Sequence, residues 1–242
     1  MYMCVPSYKR PDIIKTNKIY KNIKVYICET EQEEYKKNYP DINFEIMKKG
    51  IQGNVARVRN YILDNEFKKN DRCVIIDDDF SGVYKWEKNE KILLDEKELK
   101  EFLENGFSIA DELNVKLWGI NINSDKMSYR EYSPISFLSP VLGPISCHLK
   151  NEIRYDERIP LKEDYDFFIQ QIYKNRKILR FNKYFYVCKQ SNLKGGCSMM
   201  RNLIEEERQF RLLEKKWGKR IIKRDIKKND YNPIIKVPIK GI

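Results

Sequence analysis

Long apolar runs are missing from this chain. No stretch approaches the roughly 18 apolar residues of a membrane-spanning helix, so no span is expected. Residues 1–8 carry neither the charged nor the apolar segment of a secretory leader, and a cytoplasmic location is the expectation. The cysteines, Cys4, Cys28, Cys73, Cys147, Cys188 and Cys197, form no CxxC pair and lie mostly in apolar runs. That argues against a zinc site or a disulfide framework and makes them reduced core residues. The one histidine, His148, reads as a packed or surface side chain rather than a ligand. Neither a Walker A sequence nor GxGxxG occurs, so a P-loop or a Rossmann dinucleotide site has no support. Internal repeats and low-complexity linkers are also absent.

What is present is an ordinary globular composition of 242 residues, 41% hydrophobic and 34% charged, long enough for one domain with a large core. Lys and Arg number 47 against 36 Asp and Glu, a net charge of +11. Such an excess suits a polyanionic partner such as nucleic acid, a nucleotide or an anionic membrane surface. A Lys-rich, AT-biased coding style is the plainer alternative.

The most informative stretch is 73–82. A β-branched run ends abruptly in Asp77, Asp78 and Asp79, and Gly82 then permits a turn, so a buried strand delivers carboxylates to a sheet edge. Three adjacent ionised carboxylates repel one another, whereas a hard divalent ion accepts one or two of them together with phosphate oxygens. Alternation along an extended chain puts Asp77 and Asp79 on one side as ligands and Asp78 on the other, near a nucleotide. An Asp-rich turn without a metal is the competing reading.

The remaining pattern alternates strand and helix. Strands are expected at 2–5, 23–28, 43–47 and 116–122, with strand-like runs at 135–142 and 144–149 and an aromatic strand pair at 178–188. Helices are expected at 31–38, from Asn54 onward with Val55, Val58, Ile62 and Leu63 inward, and at 96–113. Another follows Pro160, and the last covers 202–217 with Leu203, Phe210, Leu213 and Trp217 inward. After the first strand, Pro6, Ser7, Tyr8, Lys9, Arg10 and Pro11 make a loop fit to hold a base and a phosphate. Glu163, Asp164 and Asp166 fill the first turn of the post-Pro160 helix, where they also favour the helix dipole. Residues 191–198 form a Gly-bearing loop that could close over a ligand. In the tail, Lys219, Arg220, Lys223 and Arg224 interleave with isoleucines, a pattern suited to phosphate contacts.

This ordered set resembles the GT-A-fold glycosyltransferases. The residues that carry it are Pro6, Ser7 and Tyr8, Glu29, the helix start with Gly53, Asn54, Arg57 and Asn60, the Asp77-Asp78-Asp79 run, and the Glu163-Asp164 pair. The resemblance implies an α/β fold of GT-A-like (Rossmann-like) type, a mixed central sheet flanked by helices in a single domain. Residues 1–200 would form the glycosyltransferase domain, with 201–242 a C-terminal helix and basic tail packed on it. It further implies that Pro6, Ser7, Tyr8, Arg10, Glu29, Gly53, Asn54, Arg57, Asn60, Asp77 and Asp78 bind a nucleotide sugar. Asp77 and Asp79 would hold Mn²⁺ or Mg²⁺ on its diphosphate, with Arg10 or Arg57 as fixed cations. Glu163 and Asp164 would be catalytic, Asp164 being the base that deprotonates the acceptor hydroxyl.

The chain is also similar to a narrower branch, the glycosyltransferases associated with TET/JBP-type base dioxygenases, found largely in phages. The supporting residues are 5–11, 53–60 ahead of the three Asp, 160–167, and the loop with Gly195, Gly196 and Cys197. This branch implies glucose transfer from a UDP-sugar to a hydroxymethylpyrimidine base in DNA, in the host cytoplasm if the chain is phage-encoded. Many GT-A enzymes take a later metal ligand, often His, after the acid pair. His148 precedes that pair here, so a late ligand would come from the 190–192 region or from water. The alternatives are a glycan or lipid acceptor, a metal-dependent nuclease or nucleotidyltransferase, and a noncatalytic nucleic-acid-binding module.

Overall fold

The computed structural model describes residues 2–187, 201–225 and 230–237. Its chain order is β1 (Met3–Pro6), α1 (Thr16–Ile19), β2 (Ile23–Cys28), α2 (Gln32–Asn38), β3 (Asn43–Met47), α3 (Val55–Glu66) and β4 (Arg72–Ile76). There follow β5 (Val83–Glu87), β6 (Glu90–Leu93), α4 (Glu96–Glu112), β7 (Leu117–Asn121), β8 (Ile135–Ser136) and β9 (Ile145–Leu149). The last elements are α5 (Glu163–Asn175), β10 (Leu179–Tyr186), α6 (Leu203–Trp217), β11 (Ile222–Asp225) and β12 (Asp230–Ile235).

Ten strands make one mixed sheet in the order β3-β2-β1-β4-β9-β7-β10-β5-β6, with β8 paired to β10. The first four run parallel, as strand–helix–strand crossovers require. β9 runs antiparallel to both β4 and β7, and β10 is parallel to β7. The C-terminal ends of β1, β4, β7 and β10 therefore share one sheet edge with the start of β9. In open α/β sheets that edge is where ligands bind.

Both faces of the sheet are buried, and the period of two along each strand divides the core. Met3 and Val5 of β1, with Val74 and Ile76 of β4, join the layer containing Leu99, Phe102 and Phe107 of α4. Cys4, Cys73 and Ile75 face the opposite layer, with Val58 and Ile62 of α3, Phe167 and Phe168 of α5, and Phe210 and Leu213 of α6. A mixed sheet flanked by helices is what the resemblance to the GT-A-fold glycosyltransferases implies. The cysteines Cys4, Cys28, Cys73 and Cys147 are buried and free. Among the described residues no helix is long and apolar enough to cross a membrane.

Some local expectations are corrected. The strand pair expected at 178–188 is the single strand β10, whose pairing with β7 slips between Phe181 and Phe185. The run at 135–142 shortens to β8. Leu203 is exposed because α6 starts there, before its inward stripe meets the core. The β5–β6 hairpin was not anticipated. Its turn, Lys88 and Asn89, has φ of 45° and 75°, the left-handed pair that matches strand twist. The basic tail folds back as the antiparallel hairpin β11–β12. Gln190, Ser191, Asn192, the Gly195-Gly196-Cys197 loop and Ile226, Lys227 and Lys228 lie outside the described residues.

Candidate active site

β4 ends at Ile76 and the three carboxylates fall in the turn that follows, where Asp77 O accepts from Phe80 N at 3.4 Å. Strand alternation no longer applies there, and the expected partition of side chains is overturned. Asp78 and Asp79 share one cation, Arg10, whose guanidinium lies 2.9 Å from Asp78 Oδ1 and 3.3 Å from Asp79 Oδ2. Asp77 turns the other way, to Arg59 Nη2 at 3.2 Å. The turn is pinned from behind by α1: Lys15 N and Thr16 N donate to Asp78 O, and Thr16 Oγ1 donates to Asp77 O at 2.6 Å.

The loop after β1 builds a buried network around Asp78. Ser7 Oγ donates to Asp78 Oδ2 at 2.6 Å, so the Tyr35 hydroxyl, 2.8 Å away, donates to Ser7. Tyr35 in turn accepts from Arg10 N at 3.0 Å, and Gln52 Nε2 donates to Ser7 O at 3.0 Å. Burial pushes the Asp78 carboxyl up to about 6, against the opposing pull of Arg10 and Ser7. Asp79 is also pushed up, by burial and by the charge of Asp77. Tyr8 is half-buried with the Lys9 ammonium 5.1 Å from its ring centre, and Pro6 closes β1.

The acid pair comes to the same edge through the segment before β9. Pro144 O accepts from Asp77 N at 2.8 Å, and Gly143 N donates to Asp164 Oδ2 at 3.2 Å. Gly143 has φ of +83°, and a Cβ there would meet the Tyr186 hydroxyl, so a side chain at this position is strained and must displace the Tyr186 ring. Asp164 is half-buried, and its Oδ1 also accepts from Tyr165 N at 2.8 Å. Glu163 is buried, and that burial pushes its carboxyl up to about 8 although Arg59 Nη1 lies 3.4 Å away. The two acids of the pair thus occupy different environments. Asp166 is buried as a strut, accepting from Trp217 Nε1 at 2.7 Å and Lys216 Nζ at 2.9 Å and tying α5 to α6.

Arg59 is the residue that sequence reasoning passed over in favour of Arg57. Burial works against its charge, but Asp77 and Glu163 outweigh that and hold the guanidinium well above its ordinary value. Arg57 faces outward, with Nε 2.8 Å from Glu157 Oε2 and Nη1 donating to Gly50 O at 2.6 Å. Asn54 caps α3 by accepting from Arg57 N and donates to Glu157 O. Asn60 clamps Tyr155, donating to its O at 3.0 Å and accepting from its N at 2.7 Å. Gly53, with φ of +88°, makes the turn before that cap, and Glu29 accepts from Lys49 N at 2.8 Å. The signal that distinguishes Arg59 was the helical period, since it shares the inward face with Ala56, Ile62 and Leu63. Gln52, Tyr35 and Gly143 carried no comparable signal.

His148 is buried in β9 with Nε2 2.9 Å from Ser146 Oγ, and burial pushes it down to about 3, so it stays neutral. In the tail, Lys219, Arg220 and Lys223 are exposed, whereas Arg224 pairs with Glu207 at 2.6 Å and covers the Phe210 ring.

The donor set fits a hard divalent ion. Asp77 and Asp79 remain 34% and 19% exposed against 5% for Asp78, so their oxygens stay open to an ion although the two side chains pair with different arginines. Among the described residues no three His, Cys, Asp or Glu converge into a closed metal cage. An ion shared between one or two carboxylates and substrate phosphates needs none.

Comparison with known proteins finds no matching curated sequence. Among solved structures, a mannosyltransferase from Pyrobaculum calidifontis, in complex with GDP-mannose and Mn²⁺, superposes with a TM-score of 0.44 at 9% identity. The match covers 75% of this chain and 53% of that one, so this chain spans about half the mannosyltransferase's length. A protein from Desulfovibrio desulfuricans G20 described as a nucleotide-diphospho-sugar transferase gives 0.40 at 10% identity, over 90% of this chain and 99% of that one. The family model of TET-associated glycosyltransferases matches residues 2–196, which spans every strand of the central sheet together with the three Asp, the acid pair and Arg59. This chain belongs to the TET-associated glycosyltransferase family.

Proposed function

We propose that the protein transfers a sugar, glucose in the first instance, from a UDP-sugar to a hydroxymethylpyrimidine base in DNA, with a divalent metal ion. The observation that carries the reading is the Gly143–Pro144 bridge. It brings Asp164, a half-buried carboxylate, to the edge where Asp77 and Asp79 present theirs.

In this reading Asp77 and Asp79 hold Mn²⁺ or Mg²⁺ on the donor diphosphate, and the ion supplies Lewis acidity for the leaving nucleoside diphosphate. Arg10, fixed by Asp78 and Asp79, adds a cation beside the same phosphates. The loop of Pro6, Ser7 and Tyr8 lies along the donor, held rigid by the Ser7–Tyr35–Asp78 network. Asp164 Oδ2 takes the proton of the acceptor hydroxyl as its oxygen attacks the anomeric carbon and the bond to the diphosphate breaks. A single displacement of this kind inverts the configuration. The Gly143 N–H keeps the carboxylate aimed. A protein with +11 net charge favours a DNA acceptor over a neutral glycan or lipid, and the target base must leave the stack to be reached.

The test is transfer from a panel of nucleotide sugars, with Mn²⁺, Mg²⁺ or chelator, to plain and hydroxymethylpyrimidine-containing duplex DNA. Metal-dependent transfer to modified DNA alone is the expected result. Donor hydrolysis without a DNA product returns the acceptor to glycans or lipids, and absence of donor binding under every metal overturns the reading.

A further inference from the structure

We infer that Arg59 is a positioning residue that couples the two halves of the site, holding Asp77 on the donor side and the α5 acid pair on the acceptor side through one buried guanidinium. This role rests on the glycosyl-transfer reading above.

The geometry is specific to this residue. Nη2 meets Asp77 Oδ1 at 3.2 Å and Nη1 meets Glu163 Oε1 at 3.4 Å, so one planar group spans carboxyl groups 86 positions apart in sequence. Arg59 is 5% exposed, and its plane is backed by the Tyr155 ring at 5.7 Å. Its Nε is buried and has no hydrogen-bond partner. A cavity of about 10 Å³, lined by Arg59, Gly143, Ser146, Tyr155 and Asp164, lies beside it. That is close to the volume that admits one water, whose bonds could join Arg59 to the Asp164 side.

Neighbouring contacts make the coupling rigid. Asn60, the next residue on α3, holds the Tyr155 backbone by two hydrogen bonds through its side-chain amide, so α3 and the segment leading to α5 are clamped together. Behind Glu163, Lys162 is buried and paired with Glu206 of α6, which fixes the start of α5. A displacement of Arg59 therefore reaches both Asp77 and the helix turn that carries Asp164. The fork of guanidinium donors is needed because the two carboxyl groups lie on different nitrogens; the single ammonium of a lysine can meet one of them.

The test compares wild type with Arg59→Lys, Arg59→Gln and the double variant Arg59→Gln/Glu163→Gln. The readouts are Mn²⁺ binding, by calorimetry and by the electron paramagnetic resonance spectrum of the bound ion in the presence of UDP, and steady-state transfer. Arg59→Lys is expected to fold, to weaken Mn²⁺ binding and to lower kcat by about 10- to 100-fold, while the KM for the acceptor stays near wild type. The double variant removes both members of the buried pair and keeps the fold accessible if either single variant at 59 does not fold. It is expected to show the same kcat loss and an altered Mn²⁺ spectrum. Wild-type Mn²⁺ binding and kcat in Arg59→Lys, or in the double variant, overturn the role of Arg59 alone. A wild-type protein that binds neither Mn²⁺ nor any nucleotide sugar overturns the glycosyl-transfer reading and this role with it.

Discussion

Ser7 donates to Asp78 across 71 positions of sequence at 2.6 Å, and that bond joins the loop after the first strand to the carboxylate turn after the fourth. Both residues are buried, so a lost donor leaves an oxygen of Asp78 with one partner fewer and no water to replace it. Ser7→Ala is expected to destabilise the protein by about 1–3 kcal/mol. Denaturant unfolding of the two proteins checks this, and an unchanged midpoint would show that the network around Asp78 relaxes.

The division of labour between carboxylates separates by kinetics. Asp164→Asn is expected to lower kcat by about a hundred- to ten-thousandfold while nucleotide binding stays close to wild type. Asp79→Ala is expected instead to abolish metal stimulation and weaken donor binding. Equal loss of both properties in both variants would contradict the separate roles.

Glu163 gives a pH dependence of stability with a definite sign. Its ordinary value is 4.5 and the folded protein holds it up at about 8, chiefly through burial. Between those values the folded state keeps a proton that the unfolded state has released. Its stabilising contribution is therefore complete below about 4.5 and is lost as pH rises through about 8. Glu163→Gln, neutral at every pH, is expected to flatten the metal-free melting profile across that window and to melt higher than wild type above pH 8. A parallel profile in the two proteins would rule out Glu163 as its source.

The tail divides into two kinds of cation. Lys219, Arg220 and Lys223 are exposed, and their replacement by Glu is expected to weaken binding to any DNA sequence, each lost phosphate contact reducing the salt slope by about 1. Arg224 covers Phe210 and pairs with Glu207, so Arg224→Ala is expected to lower the melting temperature of the α6–β11 unit. Salt-dependent DNA titrations beside thermal melts distinguish the two; unchanged DNA affinity in the triple variant would move the DNA contact elsewhere.

Much of the architecture was legible because it follows local periodicity. The boundaries of β2 and β3 agree with the sequence reading residue for residue, since β-branched runs bounded by polar loops leave little freedom. The β5–β6 hairpin escaped because Tyr84, Lys85 and Glu87 mix charge and partial exposure between the buried Val83 and Trp86, and Lys88-Asn89 is a weaker turn signal than one with glycine. In the site, Asp77, Asp78, Asp79, Glu163 and Asp164 stood out as clustered charges, while Arg59 did not, being one of two arginines on α3 and set apart from Arg57 by the helical period alone.

The sequence by itself determined the alternation of strands and helices and the delivery of three carboxylates to the end of a strand, because each follows from spacing within a few residues. Tertiary structure alone decided which cation meets which acid. Arg10 takes Asp78 and Asp79, Arg59 takes Asp77 and Glu163, and Gly143 aims Asp164. Those pairings are fixed by the crossing of distant strands at one sheet edge, and by the cost of leaving a buried charge unpaired, which no local pattern records.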